Sequence, residues 1–231
     1  MHPLNILFVA HGSTFETYRN EAEAFAAAWI DKFPLHHAKI CYLELLQPSF
    51  YEVLHQLDTP TVVMPLFLHQ GWHLRKDITE TISSSSKAVT ILPPLTSSIA
   101  LMEVFRDRLN EFESEHDAVI IYSHGNRATE KQIHLVKLSM EFQVMMGSKC
   151  SVAVSKGEPS LSAQISRLVA RGDKHITILP HFLFSGIWLG KLERQIQALS
   201  LNSDVKISIA EPLRHHPALL SEISTSLSSL E

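Results

Sequence analysis

The stretch Leu4-Asn-Ile-Leu-Phe-Val-Ala-His-Gly-Ser13 sets the plan of this chain: a short apolar run followed at once by His-Gly. An apolar run of this length, bounded by a glycine, is typical of a strand buried on both faces of a parallel sheet. The same plan returns at Ala118-Val-Ile-Ile-Tyr-Ser-His-Gly-Asn126. The recurrence indicates a chain built from two related halves.

Further apolar runs alternate with segments of helical period, which is the pattern of an α/β protein with parallel strands. We predict eight strands, four in each half, at Leu4 to Ala10, Ala38 to Leu43, Thr61 to Leu66, Ala88 to Leu92, Ala118 to Tyr122, Ser151 to Val154, Ile176 to Leu179 and Val205 to Ile209. The predicted fold is therefore two similar lobes, each a four-stranded parallel sheet flanked by helices.

The repeat extends to individual residues outside the strands. Gln47-Pro-Ser49 is matched by Glu158-Pro-Ser160, and Pro65-Leu-Phe-Leu68 before Gly71 by Pro180-His-Phe-Leu183 before Gly186. A repeat of this length indicates duplicated α/β lobes, because solenoids repeat at a shorter period. We expect an N-terminal lobe at residues 1–115 that carries the active site and a C-terminal lobe at residues 116–231.

Composition narrows the classes of function. The 231 residues carry a formal net charge of −4, and no basic stripe appears that could neutralise nucleic-acid phosphates. Cys41 and Cys150 are the two cysteines and lie far apart, so we expect free thiols in a reducing compartment. No apolar run reaches membrane-spanning length and no signal peptide is recognisable, so we expect a cytoplasmic protein that binds no membrane.

Ligands of open parallel sheets bind at the carboxyl ends of strands, where several polar side chains of this chain fall. His11 follows the first predicted strand, and Ser13-x-x-Glu16 has the form of a capping box that starts a helix. Glu44 closes the second strand, where a buried carboxylate would need a partner, and Ser49-x-x-Glu52 forms a second capping box. His69 and His73 follow the third strand.

Two imidazoles and a carboxylate that converge from three strand ends would form an open site for a first-row divalent metal. The alternative is a set of loop residues that never meet. Three other enzyme classes lack their motifs in this sequence. Histidine phosphatases need Arg immediately before the histidine, where this chain has Ala10. Neither the Gly-x-Ser-x-Gly motif of α/β-hydrolases nor the Gly-x-Gly-x-x-Gly motif of dinucleotide-binding sites is present.

At these residues the chain resembles the sirohydrochlorin chelatases of the CbiX/SirB type, which are class II tetrapyrrole chelatases. The shared elements are His-Gly-Ser after a strand, Leu-Glu before Pro-Ser, and Pro-Leu-Phe-Leu-x-x-Gly-x-His before Asp-Ile; they fall at Ala10 to Ser13, Leu43 to Ser49 and Pro65 to Ile78. Their echoes in the second half extend the likeness to the two-lobed, long form of the family.

The resemblance implies that His11 and His73 are catalytic and bind the metal together with Glu44, with the macrocycle held in a cleft between the lobes. In the second half Trp188 stands where His73 would fall and about Ser155 where Glu44 would, so we expect one active site. Candidate groups for binding the substrate and its carboxylates are Ser13, His69, Arg75, Lys76, His124, Arg127 and Lys191.

The implied substrates are sirohydrochlorin and Co²⁺, Fe²⁺ or Ni²⁺, with no tightly bound cofactor. Cobalt is favoured because the long form resembles cobaltochelatases, while cobalamin, siroheme and a nickel tetrapyrrole stay open as destinations. A monomer is expected, since two fused lobes already supply both halves of a cleft. The alternative function is a non-catalytic carrier of metal or tetrapyrrole with the same fold.

Overall fold

The computed structural model describes residues 3–57, 59–69, 71, 74–112, 116–125, 130–200 and 203–230. Strands and helices alternate along the chain. In order they are β1 (Asn5–Ala10), α1 (Glu16–Lys32), β2 (His37–Tyr42), α2 (Phe50–Gln56), β3 (Thr61–Pro65), a π-helical turn (Leu74–Ile78), α3 (Thr79–Ser83), β4 (Val89–Ile91), α4 (Ser98–Asn110), β5 (Ala118–Ser123), α5 (Glu130–Met146), β6 (Cys150–Val154), α6 (Leu161–Ala170), β7 (His175–Pro180), α7 (Ile187–Gln197), β8 (Lys206–Ile209) and α8 (Pro217–Ser228).

All eight predicted strands are confirmed, and they form two four-stranded parallel sheets in the orders β2-β1-β3-β4 and β6-β5-β7-β8. The predicted α/β fold class is thereby confirmed. Chain order reverses direction beside β1 in the first sheet and beside β5 in the second. Such a reversal opens a crevice at the carboxyl ends of the strands, which is where ligands bind in this architecture.

The apolar run of β1 is continuous because both faces of the first sheet are covered at this central strand. In β1, Leu7 and Val9 join a cluster with Phe50 of α2, while Phe8 packs on Phe25 and Trp29 of α1 with ring centroids 6.3 and 5.5 Å away. Burial of each such side chain contributes about 1.5–3 kcal/mol. The sheet therefore holds the ends of its strands in fixed positions.

The first compact unit comprises Met1–Ala100 together with Arg214–Glu231, so the C-terminal helix α8 belongs to the unit that contains the first sheet. Arg214 forms a 2.9 Å ion pair with Glu21 of α1, and Ser221 of α8 accepts a hydrogen bond from Lys32. One carboxylate oxygen of Glu222 accepts from the backbone N–H groups of Thr96 and Ser97 at 3.0 and 2.9 Å.

The second unit comprises Leu101–Leu213 and includes most of α4. Phe105 of α4 packs edge-on against Phe142 of α5, and Arg108 donates a hydrogen bond to the carbonyl of Pro212. These units describe packing, whereas the division at 115/116 describes the sequence repeat. The assignment of lobes at residues 1–115 and 116–231 stays a prediction.

Of the two predicted capping boxes, one is confirmed and one is wrong. Ser49 caps α2 by accepting from the N–H of Glu52, whose side chain accepts from the Ser49 N–H in return. Ser13 does not cap α1, which begins at Glu16 after Phe15. The reason is that the Ser13 hydroxyl accepts from the nearer N–H of Phe15, in a turn that precedes the helix.

Two other expectations from the sequence concern the thiols and the membrane. Both cysteines are free, as predicted, and Cys41 is buried. Burial raises the pKa of the Cys41 thiol to about 12, so this thiol is neutral and unreactive. Among the described residues, no helix is both long and apolar enough to cross a bilayer.

Candidate metal-binding site

His11 and Glu44 are brought together by two hydrogen bonds that continue the β1–β2 pairing past the strand ends. The N–H of Leu43 donates to the carbonyl of Ala10, and the N–H of Glu44 donates to the carbonyl of His11, each at 3.0 Å. Because both residues are held by backbone bonds, their positions follow from the register of the sheet. Part of the predicted convergence of polar groups is thus present.

Gly12 makes this close approach of the two loops feasible. Its φ is +101°, a conformation that side chains disfavour, and a Cβ atom built there would lie 1.8 Å from the carbonyl oxygen of Glu44. No other residue fits between the loops without moving Glu44. The glycine after His11 is therefore required by geometry as well as by the turn.

The side chains of the pair also meet, with Nδ1 of His11 lying 3.3 Å from Oε1 of Glu44. The same Nδ1 is 3.2 Å from the carbonyl oxygen of Gly12. Both neighbours are acceptors, so a neutral imidazole carries its proton on Nδ1 and keeps its lone pair on Nε2. This is the arrangement by which a carboxylate orients a metal-binding histidine.

The Glu44 side chain is 51% exposed and that of His11 35% exposed, so solvent reaches both groups. The expectation that Glu44 is a buried charge in need of a partner is wrong, because β2 ends at Tyr42 and the chain has turned outward by residue 44. An exposed carboxylate exchanges ligands readily. Such a site would hold a cation loosely.

Tyr18 of α1 supports the loop and could not be found from the sequence, since no motif contains it. Its hydroxyl lies 3.4 Å from the backbone nitrogen of Gly12, whose N–H it accepts. Burial raises the pKa of Tyr18 to about 12, although its contacts with the backbone of Gly12 and His11 act in the opposite direction. The phenol therefore stays neutral and acts as a positioning group.

Other predicted site residues are placed less completely. His73 and Arg127 lie outside the described residues, and of Arg75 only the backbone, within the π-helical turn, is described. His69 is partly buried, and a Cβ on Gly71 would lie 2.9 Å from its ring. Lys76 is exposed in the same π-helical turn. Within the described ranges, no third His, Cys, Asp or Glu completes a ligand group with His11 and Glu44.

The second unit repeats the loop geometry with different side chains. Ser155 donates its N–H to the carbonyl of Ser123, and Lys156 donates its N–H to the carbonyl of His124. Lys156 thus corresponds to Glu44, and the expectation that this position falls at about Ser155 is wrong by one residue. A Cβ on Gly125, whose φ is +72°, would lie 2.3 Å from the carbonyl oxygen of Lys156.

Around Trp188 of α7 the second unit gathers three cationic or aromatic groups. The ring of His124 lies 5.6 Å from that of Trp188, and the ammonium nitrogens of Lys156 and Lys191 lie 5.1 and 4.2 Å from its centroid. A metal cation would be repelled by two ammonium groups. The expectation of one active site stays a prediction.

Both halves of the chain match a known protein family. The family model described as CbiX matches residues 5–112 and again residues 118–229. A sirohydrochlorin ferrochelatase from Priestia megaterium is 22% identical over 97% of this chain and 90% of its own length. A sirohydrochlorin cobaltochelatase from the same organism is also 22% identical, over 93% of this chain and 76% of its own length.

The fold is shared with solved structures. SirB from Bacillus subtilis with Fe³⁺ superposes with a TM-score of 0.82 at 20% identity, over 98% of this chain and 95% of that chain. The two-lobed parallel α/β architecture is therefore one that known chelatase structures adopt. The repeated match of the family model coincides with the internal repeat found in the sequence.

Proposed function

Because this chain belongs to the CbiX family, we propose that it is a chelatase that inserts a divalent metal ion into sirohydrochlorin. The observation that carries the proposal is the His11–Glu44 pair, held at the ends of two adjacent parallel strands with Nδ1 and Oε1 3.3 Å apart. A histidine oriented by a carboxylate at a strand end is suited to binding a metal or accepting a proton.

The reaction exchanges two protons for one metal ion. Each of two pyrrole N–H groups loses its proton, the nitrogens form bonds to the incoming cation, and both protons pass to bases and then to water. The protein must therefore hold a hydrated cation loosely and supply a base that works near neutral pH. Imidazole meets both needs, whereas thiolates would retain the ion.

We assign His11 the central role. The lone pair on its Nε2 atom binds the cation or accepts the proton, while Nδ1–H is oriented by Glu44 and the Gly12 carbonyl. Glu44 is proposed as a charged metal ligand once its side chain leaves Nδ1, because a carboxylate bonded to Nδ1–H lies on the opposite side of the imidazole from a cation on Nε2. His73 is proposed as the remaining ligand and as the alternative base.

The identity of the metal is the finer part of the proposal. Imidazole and carboxylate ligands accept Co²⁺, Fe²⁺ and Ni²⁺, and affinity order alone does not decide which one a cell supplies. The relatives named above include a ferrochelatase and a cobaltochelatase at equal identity. Cobalt stays our prediction, and the metal is a substrate rather than a resident cofactor.

The substrate contacts and the oligomeric state of the protein are also predictions. The groups expected to contact sirohydrochlorin are Ser13, His69, Arg75, Lys76, His124 and Arg127. A monomeric cytoplasmic protein is likewise a prediction. Lys76 and Lys191 fall at equal distances after Pro65 and Pro180, so the repeat retains a cation at this position in both halves.

The test is an anaerobic absorbance assay of the purified full chain with sirohydrochlorin and Co²⁺, Fe²⁺ or Ni²⁺ in turn. Protein-free mixtures give the spontaneous rate for each metal. Acceleration by at least one metal, with the largest for Co²⁺, is expected. Binding of the macrocycle without acceleration by any of the three metals would contradict the proposal and favour a carrier.

A further inference from the structure

We propose that His124, Lys156, Trp188 and Lys191 form a carboxylate-binding site in the second unit. We call these four residues the Trp188 cluster. The cluster occupies the loop positions that correspond to the candidate metal site, but its charge is reversed. Where the first unit presents an imidazole and a carboxylate, the second presents an imidazole and two ammonium groups.

The position of Lys156 is fixed by the backbone rather than by its flexible side chain. Its N–H donates to the His124 carbonyl at 3.0 Å, as Glu44 does to His11, and Gly125 permits the same close approach of loops. Exchange of Glu for Lys at this position converts a cation-binding loop into an anion-binding one. The two sheets thus have the same loop backbone at this position, with side chains suited to ligands of opposite charge.

The ring of Trp188 contacts both ammonium groups of the cluster. Their nitrogens lie 5.1 and 4.2 Å from the centroid of its indole ring, within the range of cation–π attraction. Both ammonium groups keep their positive charge in this contact, so an anion bound beside the ring would be attracted by both. The aromatic ring offers a flat apolar surface beside the charges, which suits a carboxylate carried on an organic skeleton.

Three other lysines of the second unit have carboxylate partners. Lys149 pairs with Asp173 at 2.7 Å, Lys174 with Asp204 at 2.9 Å, and Lys137 with Glu141 at 3.8 Å. Among the residues that the structure describes, neither Lys156 nor Lys191 forms an ion pair with Asp or Glu. Ammonium groups without an internal counterion are those that an external carboxylate can engage.

Two sources could supply the carboxylate. One is a peripheral carboxylate of sirohydrochlorin, and this case rests on the proposed function. The other is a free small carboxylate. The chemistry recognised is the same, and the distinction is made by using both ligands as probes.

The experiment measures binding by calorimetry with the full chain and no added metal. The probes are sirohydrochlorin, propane-1,2,3-tricarboxylate and the uncharged triamide of that acid. The test variant is Lys156→Gln combined with Lys191→Gln. The matched control is Lys206→Gln, which removes a charge from an exposed lysine at the start of β8, away from the strand ends that carry the cluster.

We expect the double variant to weaken binding of sirohydrochlorin about tenfold, since two exposed ion pairs are lost, while the control binds as the native chain does. If the double variant loses only the binding of tricarboxylate and still binds sirohydrochlorin as the native chain does, the site is supported with a free small carboxylate as its ligand. The proposal would be overturned if the native chain and the double variant had equal dissociation constants for sirohydrochlorin and for the tricarboxylate. It would also be overturned if the triamide bound as tightly as the tricarboxylate.

These outcomes are separable from those of the chelatase assay. Calorimetry with metal-free ligands reports on the cluster whether or not the protein inserts a metal. Conversely, Co²⁺ binding to the double variant without macrocycle should equal that of the native chain, because His11 and Glu44 are intact. A chain that binds carboxylates through the cluster yet inserts no metal would refute the proposed function alone.

Discussion

Nδ1 of His11 lies 3.3 Å from Oε1 of Glu44, and the backbone of Glu44 donates a hydrogen bond to the carbonyl of His11 at 3.0 Å. The two residues are therefore joined by their main chains and by their side chains. The first link follows from the parallel register of β1 and β2, and the second fixes the orientation of the imidazole. In the second unit the same main-chain hydrogen bond joins Lys156 to His124. The side chain at the position of Glu44 is there a lysine instead of a carboxylate.

The substitution Glu44→Gln should weaken metal binding while preserving the loop. The new amide would keep an oxygen that accepts the Nδ1 proton of His11 but would lose the negative charge that attracts a cation. We expect the affinity for Co²⁺ to fall about 10- to 100-fold, as for changes to ligands and their hydrogen-bonded partners at other metal sites. Equilibrium dialysis without macrocycle measures it, with Glu80→Gln, at an exposed position of α3, as the control.

Replacement of Gly12 by Ala should disrupt both stability and metal insertion. The added Cβ would overlap the Glu44 carbonyl oxygen, only 1.8 Å away, and the residue would keep an unfavourable positive φ. Strain of this kind costs on the order of 1–3 kcal/mol before the overlap is counted. Chemical denaturation measures the loss in the free energy of unfolding.

A matched variant separates strain from overlap. Gly172 also has a positive φ, of +90°, but nothing lies within 4 Å of a Cβ built there. Gly172→Ala should therefore show the strain cost alone and keep full activity. Equal destabilisation by the two substitutions would mean that the contact with Glu44 is unimportant.

Much of this fold could be predicted from local signals. Continuous apolar runs identify the central strands β1, β3, β5 and β7, whose residues are almost all buried. The edge strands β2, β4 and β8 are only partly buried. Strand order and the place of α8 in the first unit depend on contacts between distant residues, such as Glu222 with Ser97. Such contacts leave no local pattern in one sequence.

The site was only partly predictable for the same reason. Strand ends placed His11 and Glu44 at one edge of the sheet, but the supporting Tyr18 belongs to no motif. Alignment of the halves placed the counterpart of Glu44 one residue early, because only the backbone hydrogen bonds fix the register of the loops. Ser13-x-x-Glu16 matched a capping box in spacing, yet a nearer N–H engages the serine.

The two serine motifs should respond differently to substitution. Ser49→Ala removes the N-cap of α2 and leaves the N–H of Glu52 without its acceptor, which should cost about 1 kcal/mol of unfolding free energy. Ser13→Ala removes only a turn contact and should cost about 0.5 kcal/mol or less. Thermal denaturation of the two variants tests the difference, and an equal loss would show that Ser49 does not cap the helix.

Glu222 should make stability depend on pH. Burial raises the pKa of this carboxyl above its ordinary value of 4.5, although hydrogen bonds from the Ser97 and Thr96 N–H groups act in the opposite direction. The folded protein then binds more protons than the unfolded chain between the two pKa values. The contribution of Glu222 is present below pH 4.5 and is lost as pH rises through the folded-state pKa.

Glu222→Gln separates this titration from the hydrogen bonds, because its carbonyl oxygen still accepts from both N–H groups. The variant should gain stability relative to the native chain as pH rises through that window. Urea unfolding at about pH 4, 5, 6 and 7 measures the difference at each pH. A constant difference across the series would contradict the assigned pKa shift, whereas Glu222→Ala should cost about 1–3 kcal/mol by leaving the N–H groups unpaired.

The measurement that tests the central claim most directly is anaerobic insertion of Co²⁺ into sirohydrochlorin by the native chain and by His11→Gln. The control is His55→Gln, at an exposed position of α2. We expect His11→Gln to lower the insertion rate about 100-fold or more while macrocycle binding is retained, because the base and metal ligand are lost together. An unchanged rate in His11→Gln, with the control also unchanged, would contradict the assignment of His11 to the chemistry.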